Sequence, residues 1–139
     1  MILLVTHEVE FAKHVGRLLE AHGYSVMVAV RGSDVATLMA QENPRLIVVN
    51  LYLRNPSGLE ILRELRARGY SGKIIVLAGN SVSSEIPQAL CLGIDQVIGQ
   101  PVSFNQILSA VRVAIGPPGK NEDHVGGEIA PYAHMASMP

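Results

Sequence analysis

With 139 residues, 48% hydrophobic and 17% charged, the chain has the size and composition of one globular domain with a substantial core, well away from the disordered regime. Its net charge of −1, with 11 Lys and Arg scattered rather than clustered, lacks the electrostatic footprint of direct nucleic-acid binding. Cys91 is the sole cysteine, which excludes an intramolecular disulfide and a thiolate metal cluster.

The chain opens on "MILLVTHEVE", with no basic n-region and no small-residue cleavage site, so it does not read as a signal peptide. Nor does any run approach the roughly 18 apolar residues of a membrane span. The expectation is a cytoplasmic protein in a reducing setting. Ile2–Val5 is the first strand candidate. A helix follows over residues 8–22, with Phe11, Val15, Leu18 and Leu19 at helical spacing and Gly23 as its stop. Tyr24–Val30 forms a second strand, and residues 33–42 form a helix with Val35, Leu38 and Met39 on one side. Leu46–Val49 is the third strand. The next helix, 57–68, opens on Ser57-x-x-Glu60, a capping box.

Lys73–Leu77 is the fourth strand. The helix after it begins near Glu85 or Ile86, because Pro87 is tolerated only in a first turn, and runs to about Leu92. Gln96–Ile98 is the fifth strand, and Ser103-x-x-Gln106 starts a last helix over 103–115. Unbroken Val/Ile/Leu runs suit strands covered on both faces, and strict β-α alternation predicts a doubly wound α/β fold. Residues 1–116 read as this domain. Residues 117–139, rich in Gly, Pro and polar residues, read as a linker or disordered tail, whose "HMASM" has the look of vector-derived residues.

In an open parallel sheet, reactive groups gather at the carboxyl ends of the strands. Here those ends carry Thr6, His7 and Glu8 after the first strand, Asn50 after the third, Ala78 and Gly79 after the fourth, and Gln100-Pro101 after the fifth.

The "ILLV" run with its "THE" turn, "LIVVNLYLRNPSGLEILRELR" and "ALCLGIDQVIGQP", in that order, resemble the receiver domain of response regulators in two-component signalling. Gly58 stands eight residues after Asn50 and Gln100 twenty-two after Ala78, spacings similar to that family's. The resemblance covers about 116 residues. It implies a flavodoxin-like five-stranded parallel sheet in order 2-1-3-4-5 with five helices, and a phosphorylation site at its carboxyl edge.

That resemblance also makes this an atypical member. Where the family has an acidic pair for Mg²⁺, the chain has Thr6 and His7; the phosphoacceptor aspartate corresponds to Asn50. The hydroxyl residue corresponds to Ala78 (or to Leu77 with a slip of one), the lysine to Gln100, the switch aromatic to Val97 and the loop proline to Arg54. An amide is a far poorer nucleophile than a carboxylate. Mg²⁺ seeks hard oxygen ligands, of which Glu8 alone remains nearby. Gln100 brings no cation to a phosphoryl group. No catalytic residue, metal or cofactor is therefore expected.

The individual residues also have plainer readings. His7 beside Glu8 reads as a solvated or hydrogen-bonded side chain rather than half a metal site, and His14 and His22 as solvent-facing. Asn50 reads as a polar residue satisfying nearby backbone groups. Gln100-Pro101 fits a cis bond in a structural role, and Cys91 reads as a small packed hydrophobe. Met27 and Met39 read as core fillers.

Two functions follow. One is a phosphorylation-independent receiver-like regulatory domain that docks a protein partner or a second copy through residues 86–115, either as a stand-alone regulator or with a C-terminal output domain in a longer protein. The other is a small-molecule-binding module using the neutralised pocket. A flavin site is disfavoured by the lack of a phosphate cradle in the "THE" loop, and no nucleophile–base pair supports an enzyme.

Overall fold

The computed structural model describes residues 1–53, 56–79, 85–99 and 101–118. Five parallel strands, β1 (Ile2–Val5), β2 (Val26–Ala29), β3 (Leu46–Asn50), β4 (Lys73–Ala78) and β5 (Gln96–Gly99), form one sheet in the order β2-β1-β3-β4-β5. The helices are α1 (Val9–Ala21), α2 (Val35–Glu42), α3 (Gly58–Ala67), α4 (Glu85–Leu90) and α5 (Phe104–Ile115), with a 3₁₀ turn at Gly32–Asp34 leading into α2.

The unbroken apolar runs have a simple geometric cause. Successive strand residues point to opposite faces. Leu3, Val5, Ile47, Val49, Ile74 and Val76 therefore pack with α2, α3 and α4 residues such as Leu38, Leu62, Leu65 and Ala89. Ile2, Leu4, Leu46, Val48, Ile75 and Leu77 pack on the other face with Val15 and Leu19 of α1 and Ile107 and Val111 of α5. Burying each such side chain contributes about 1.5–3 kcal/mol, so both faces must be filled. The edge strand β5 is only half-covered, which matches its mixed sequence.

Local chemistry sets the helix ends. In both capping boxes the first serine accepts from the backbone N–H three residues on, and its own N–H donates back to that residue's side chain. The bonds are 3.1 and 2.8 Å for Ser57 and Glu60, and 3.1 and 2.7 Å for Ser103 and Gln106. Gly23 ends α1 with φ at +97°, where a β-carbon would be strained.

Three expectations need correction. The second strand is shorter than Tyr24–Val30, because Tyr24 leaves the ladder to donate its hydroxyl to the Gly116 carbonyl at 2.6 Å, tying the end of α5 to the sheet. The fourth helix stops at Leu90 rather than Leu92, since the chain turns through residues 91–93 to reach Gly93 at φ +79°. That turn leaves Cys91 exposed rather than packed; Ala89 is the α4 residue that reaches the core. Pro87 sits in the first turn of α4, where its missing N–H is harmless.

Candidate functional site

The register brings the carboxyl-edge residues together. Val5 pairs with Val49 and Asn50 with Leu77, so Thr6 and Asn50 emerge side by side on adjacent strands and Ala78 ends the strand on the far side of Asn50. Thr6 is fully buried, and Asn50 and Ala78 nearly so. His7 and Glu8 lie exposed at the rim.

Both buried polar side chains close short local turns. The Glu8 N–H donates to Thr6 Oγ1 at 3.2 Å, and the Tyr52 N–H donates to Asn50 Oδ1 at 3.0 Å. Asn50 is thus a backbone-satisfying residue, as its plainer reading predicts. The bond also orients Tyr52, a residue that no sequence motif singles out. Its ring lies over Gly79, where an added methyl would come within 2.9 Å of Tyr52 Cε2. Gly58 holds the following loop against the strand end: its N–H donates to the Leu51 carbonyl at 3.2 Å. A methyl on Gly58 would meet Asn50 O, Leu51 Cα and Leu51 O, each at 2.6 Å.

Of the other sequence-nominated residues, Val97 lies on β5 and Pro101 follows it. Val97 is half-buried on β5 against the α3–α4 side of the core. Pro101 is exposed. Gln100, the Gln100-Pro101 peptide bond and Arg54 lie outside the described residues.

The donor set fits Mg²⁺ poorly. It comprises one amide, one hydroxyl, one imidazole and the single carboxylate of Glu8, and Mg²⁺ is ordinarily held by one or two carboxylates with waters and phosphate oxygens. Among the described residues, no three His, Cys, Asp or Glu side chains converge on a common point.

A further constellation escapes sequence reading. Arg66, in the last turn of α3, donates to three carbonyls: Nε to Leu92 at 2.8 Å, Nη2 to Gly93 at 2.7 Å and Nη1 to Tyr70 at 2.5 Å. It fastens the α4–β5 turn to α3. The one available signal is a basic residue near a helix carboxyl end, which is common everywhere.

A doubly wound sheet in order 2-1-3-4-5, with polar residues of β1 and β3 meeting at its carboxyl edge, is the architecture of a signal receiver domain. The response regulator receiver domain family matches residues 2–112, and the chain belongs to that family. Among curated relatives, response regulator MprA of Mycolicibacterium vanbaalenii is 29% identical over 114 residues, covering 82% of this chain and 49% of the relative. The transcriptional regulatory protein YkoG of Bacillus subtilis is 26% identical over 125 residues, covering 90% and 55%. The chain therefore spans about half the length of the curated relatives it matches.

Solved structures agree on the fold. The receiver domain of NtrX from Brucella abortus superposes with a TM-score of 0.77 at 20% identity, covering 83% of this chain and 98% of that one. A CheY-like receiver domain protein from Methanospirillum hungatei gives 0.76 at 22%, covering 81% and 90%. No helix among the described residues is long and apolar enough to cross a membrane.

Proposed function

We propose that this receiver domain works in signal transduction without phosphoryl transfer, as a regulatory module that binds a protein partner or a second copy of itself. The observation that carries the reading is Asn50 at the carboxyl end of the central strand, the position that resembles the family's phosphoacceptor. It is buried, and its Oδ1 is already engaged by the Tyr52 N–H. Thr6 and Ala78 stand beside it where the resemblance would place an acidic residue and a hydroxyl. A phosphoryl acceptor needs a nucleophilic oxygen, a metal and a cation, and Thr6, His7, Asn50, Ala78 and Gln100 supply none of them. The Tyr52 ring over Gly79 takes up space beside the same residues, which favours this reading over a small-molecule pocket there.

The docking surface belongs to residues 86–115. Leu90, Phe104 and Val113 there are 55%, 42% and 78% exposed and offer a partner apolar side chains. The reading includes a domain over 1–116, a linker over 117–139, an output domain in a longer cytoplasmic protein, and neither nucleic acid nor membrane as a direct ligand of this domain.

Intact-mass spectrometry after incubation with acetyl phosphate and Mg²⁺ tests the proposal. Unchanged mass is expected, and a stable gain of one phosphoryl group would overturn it.

A further inference from the structure

The carbonyls at the carboxyl end of a helix have no partners within it. At the end of α5 two of them are taken by side chains from distant loops. Tyr24 donates its hydroxyl to the Gly116 carbonyl at 2.6 Å, and Arg45 Nη2 donates to the Ile115 carbonyl at 3.1 Å. The Arg45 guanidinium thereby also meets the negative pole of the helix.

Both donors stand on fixed backbone. The Tyr24 ring is buried, and its N–H donates to the Leu19 carbonyl at 3.1 Å. The Arg45 N–H donates to the Met1 carbonyl at 3.0 Å, and its carbonyl accepts from the Lys73 N–H at 3.1 Å. Gly23 completes the seat. The Pro118 ring lies where a β-carbon on Gly23 would be, with Cγ 2.9 Å and Cβ 3.3 Å from that point. The exit itself has little freedom. Gly116, at φ +75° and ψ −169°, makes a turn that only glycine adopts readily. Pro117 and Pro118 follow, each with its φ locked by the ring.

Gly23 and Tyr24 precede β2 and Arg45 precedes β3, so the seat is at the amino edge of the sheet. Asn50, five residues after Arg45 at the other end of β3, is about 16 Å away.

We propose that Gly23, Tyr24 and Arg45 form a seat for residues 115–118 that fixes the direction in which the chain leaves the domain. Whatever follows Pro118 is then carried at the amino edge, remote from the Asn50 pocket, on a stiff stem rather than a free hinge. Tyr24 and Arg45 act as positioning residues. The device depends neither on what docks on residues 86–115 nor on whether Asn50 accepts a phosphoryl group.

The test is pulsed electron double resonance on the full chain, with nitroxides on Ala67→Cys and Pro117→Cys and the native thiol removed by Cys91→Ser. Ala67 and Pro117 are both exposed, and α3 packs on the sheet face opposite α5, so the pair reports the exit against the far side of the domain. Labelling at 117 leaves the seated groups of Ile115, Gly116 and Pro118 in place. One narrow distance population is expected. Tyr24→Phe keeps the buried ring and removes only the donor, and Arg45→Ala alters an exposed side chain, so both variants retain the fold. Each should at least double the width of the distribution. A parent distribution already that broad, or a narrow one unchanged in both variants, would overturn the proposal.

Discussion

Gly58→Ala reverses the usual sign of a glycine substitution. Alanine in a helix is about 1 kcal/mol more favourable than glycine, and Gly58 opens α3 without a positive φ. On propensity alone the variant should be the more stable protein. The new methyl, however, would lie 2.6 Å from three backbone atoms, Asn50 O, Leu51 Cα and Leu51 O, none of which can rotate aside. Overpacking costs about 1–3 kcal/mol where side chains can give. Against backbone we take the upper end, so about 3 kcal/mol opposes about 1 kcal/mol, a net loss of about 2 kcal/mol. For a domain of this size that is roughly 8 °C in Tm. Gly99→Ala is the control: its φ is also not positive and, among the described residues, nothing lies within 4 Å of the added methyl, so it should be neutral or gain about 0.5 kcal/mol. Urea denaturation followed by circular dichroism measures both. A Gly58→Ala protein as stable as its parent would refute the reasoning, because it would mean that the β3–α3 loop can shift away from Asn50.

Three further outcomes follow from the same geometry. Arg66→Ala removes three hydrogen bonds from a charged donor and should cost about 2 kcal/mol after the freed carbonyls rehydrate. Arg68→Ala breaks only an exposed pair with Glu64 and should cost less than about 0.5 kcal/mol; equal losses would show that Arg66 fastens nothing. Burial, partly countered by Arg66 and reinforced by Asp95, pushes the Tyr70 hydroxyl up to about 12 from 10.0. A raised folded value favours the protonated form, so this contribution is intact below pH 10 and is lost as pH rises toward 12. Tyr70→Phe should flatten the fall in stability between pH 9 and 11.5, and parallel curves for the two proteins would contradict the assignment. Asn50→Asp alone should not restore labelling by acetyl phosphate and Mg²⁺, since Thr6, Ala78 and Gln100 still provide no metal ligand or cation; efficient labelling would show that one carboxylate suffices.

Much of the architecture is legible because its causes are local. Capping boxes at Ser57 and Ser103 need only residues three apart, and both form as spaced. Apolar runs flanked by Gly and polar residues mark the strands to within a residue or two. What escapes is non-local. Nothing near Tyr24 announces that its hydroxyl will meet a carbonyl ninety-two residues away and so shorten a strand. Cys91 misleads because its apolar neighbours suggest a core position, whereas the helix ends one residue earlier. Arg66 belongs to the same class, its partners being backbone atoms that the sequence does not distinguish.

On the proposed reading, the carboxyl edge of the sheet lets a receiver lose its chemistry without losing its fold. Thr6 and Asn50, the buried polar side chains at that edge, each accept a hydrogen bond from the backbone two residues ahead, so neither depends on a metal, a phosphoryl group or a distant lysine. The stability of the sheet comes instead from the two apolar layers on its faces, to which these side chains contribute little. An aspartate at position 50 would be different: nearly fully buried, it would carry a charge whose desolvation demands a nearby cation or metal, and Gln100 is not a cation. On the proposed reading, Asn50 and Gln100 are a matched neutral pair of substitutions, because changing the aspartate or the lysine alone would strand the other's charge. The single variant Asn50→Asp should therefore be less stable than the parent at pH 8 and recover as the carboxyl protonates toward pH 5. Stability that is independent of pH across that range would mean that the site still supplies a counter-charge, and the reading of the pocket as neutral would fail.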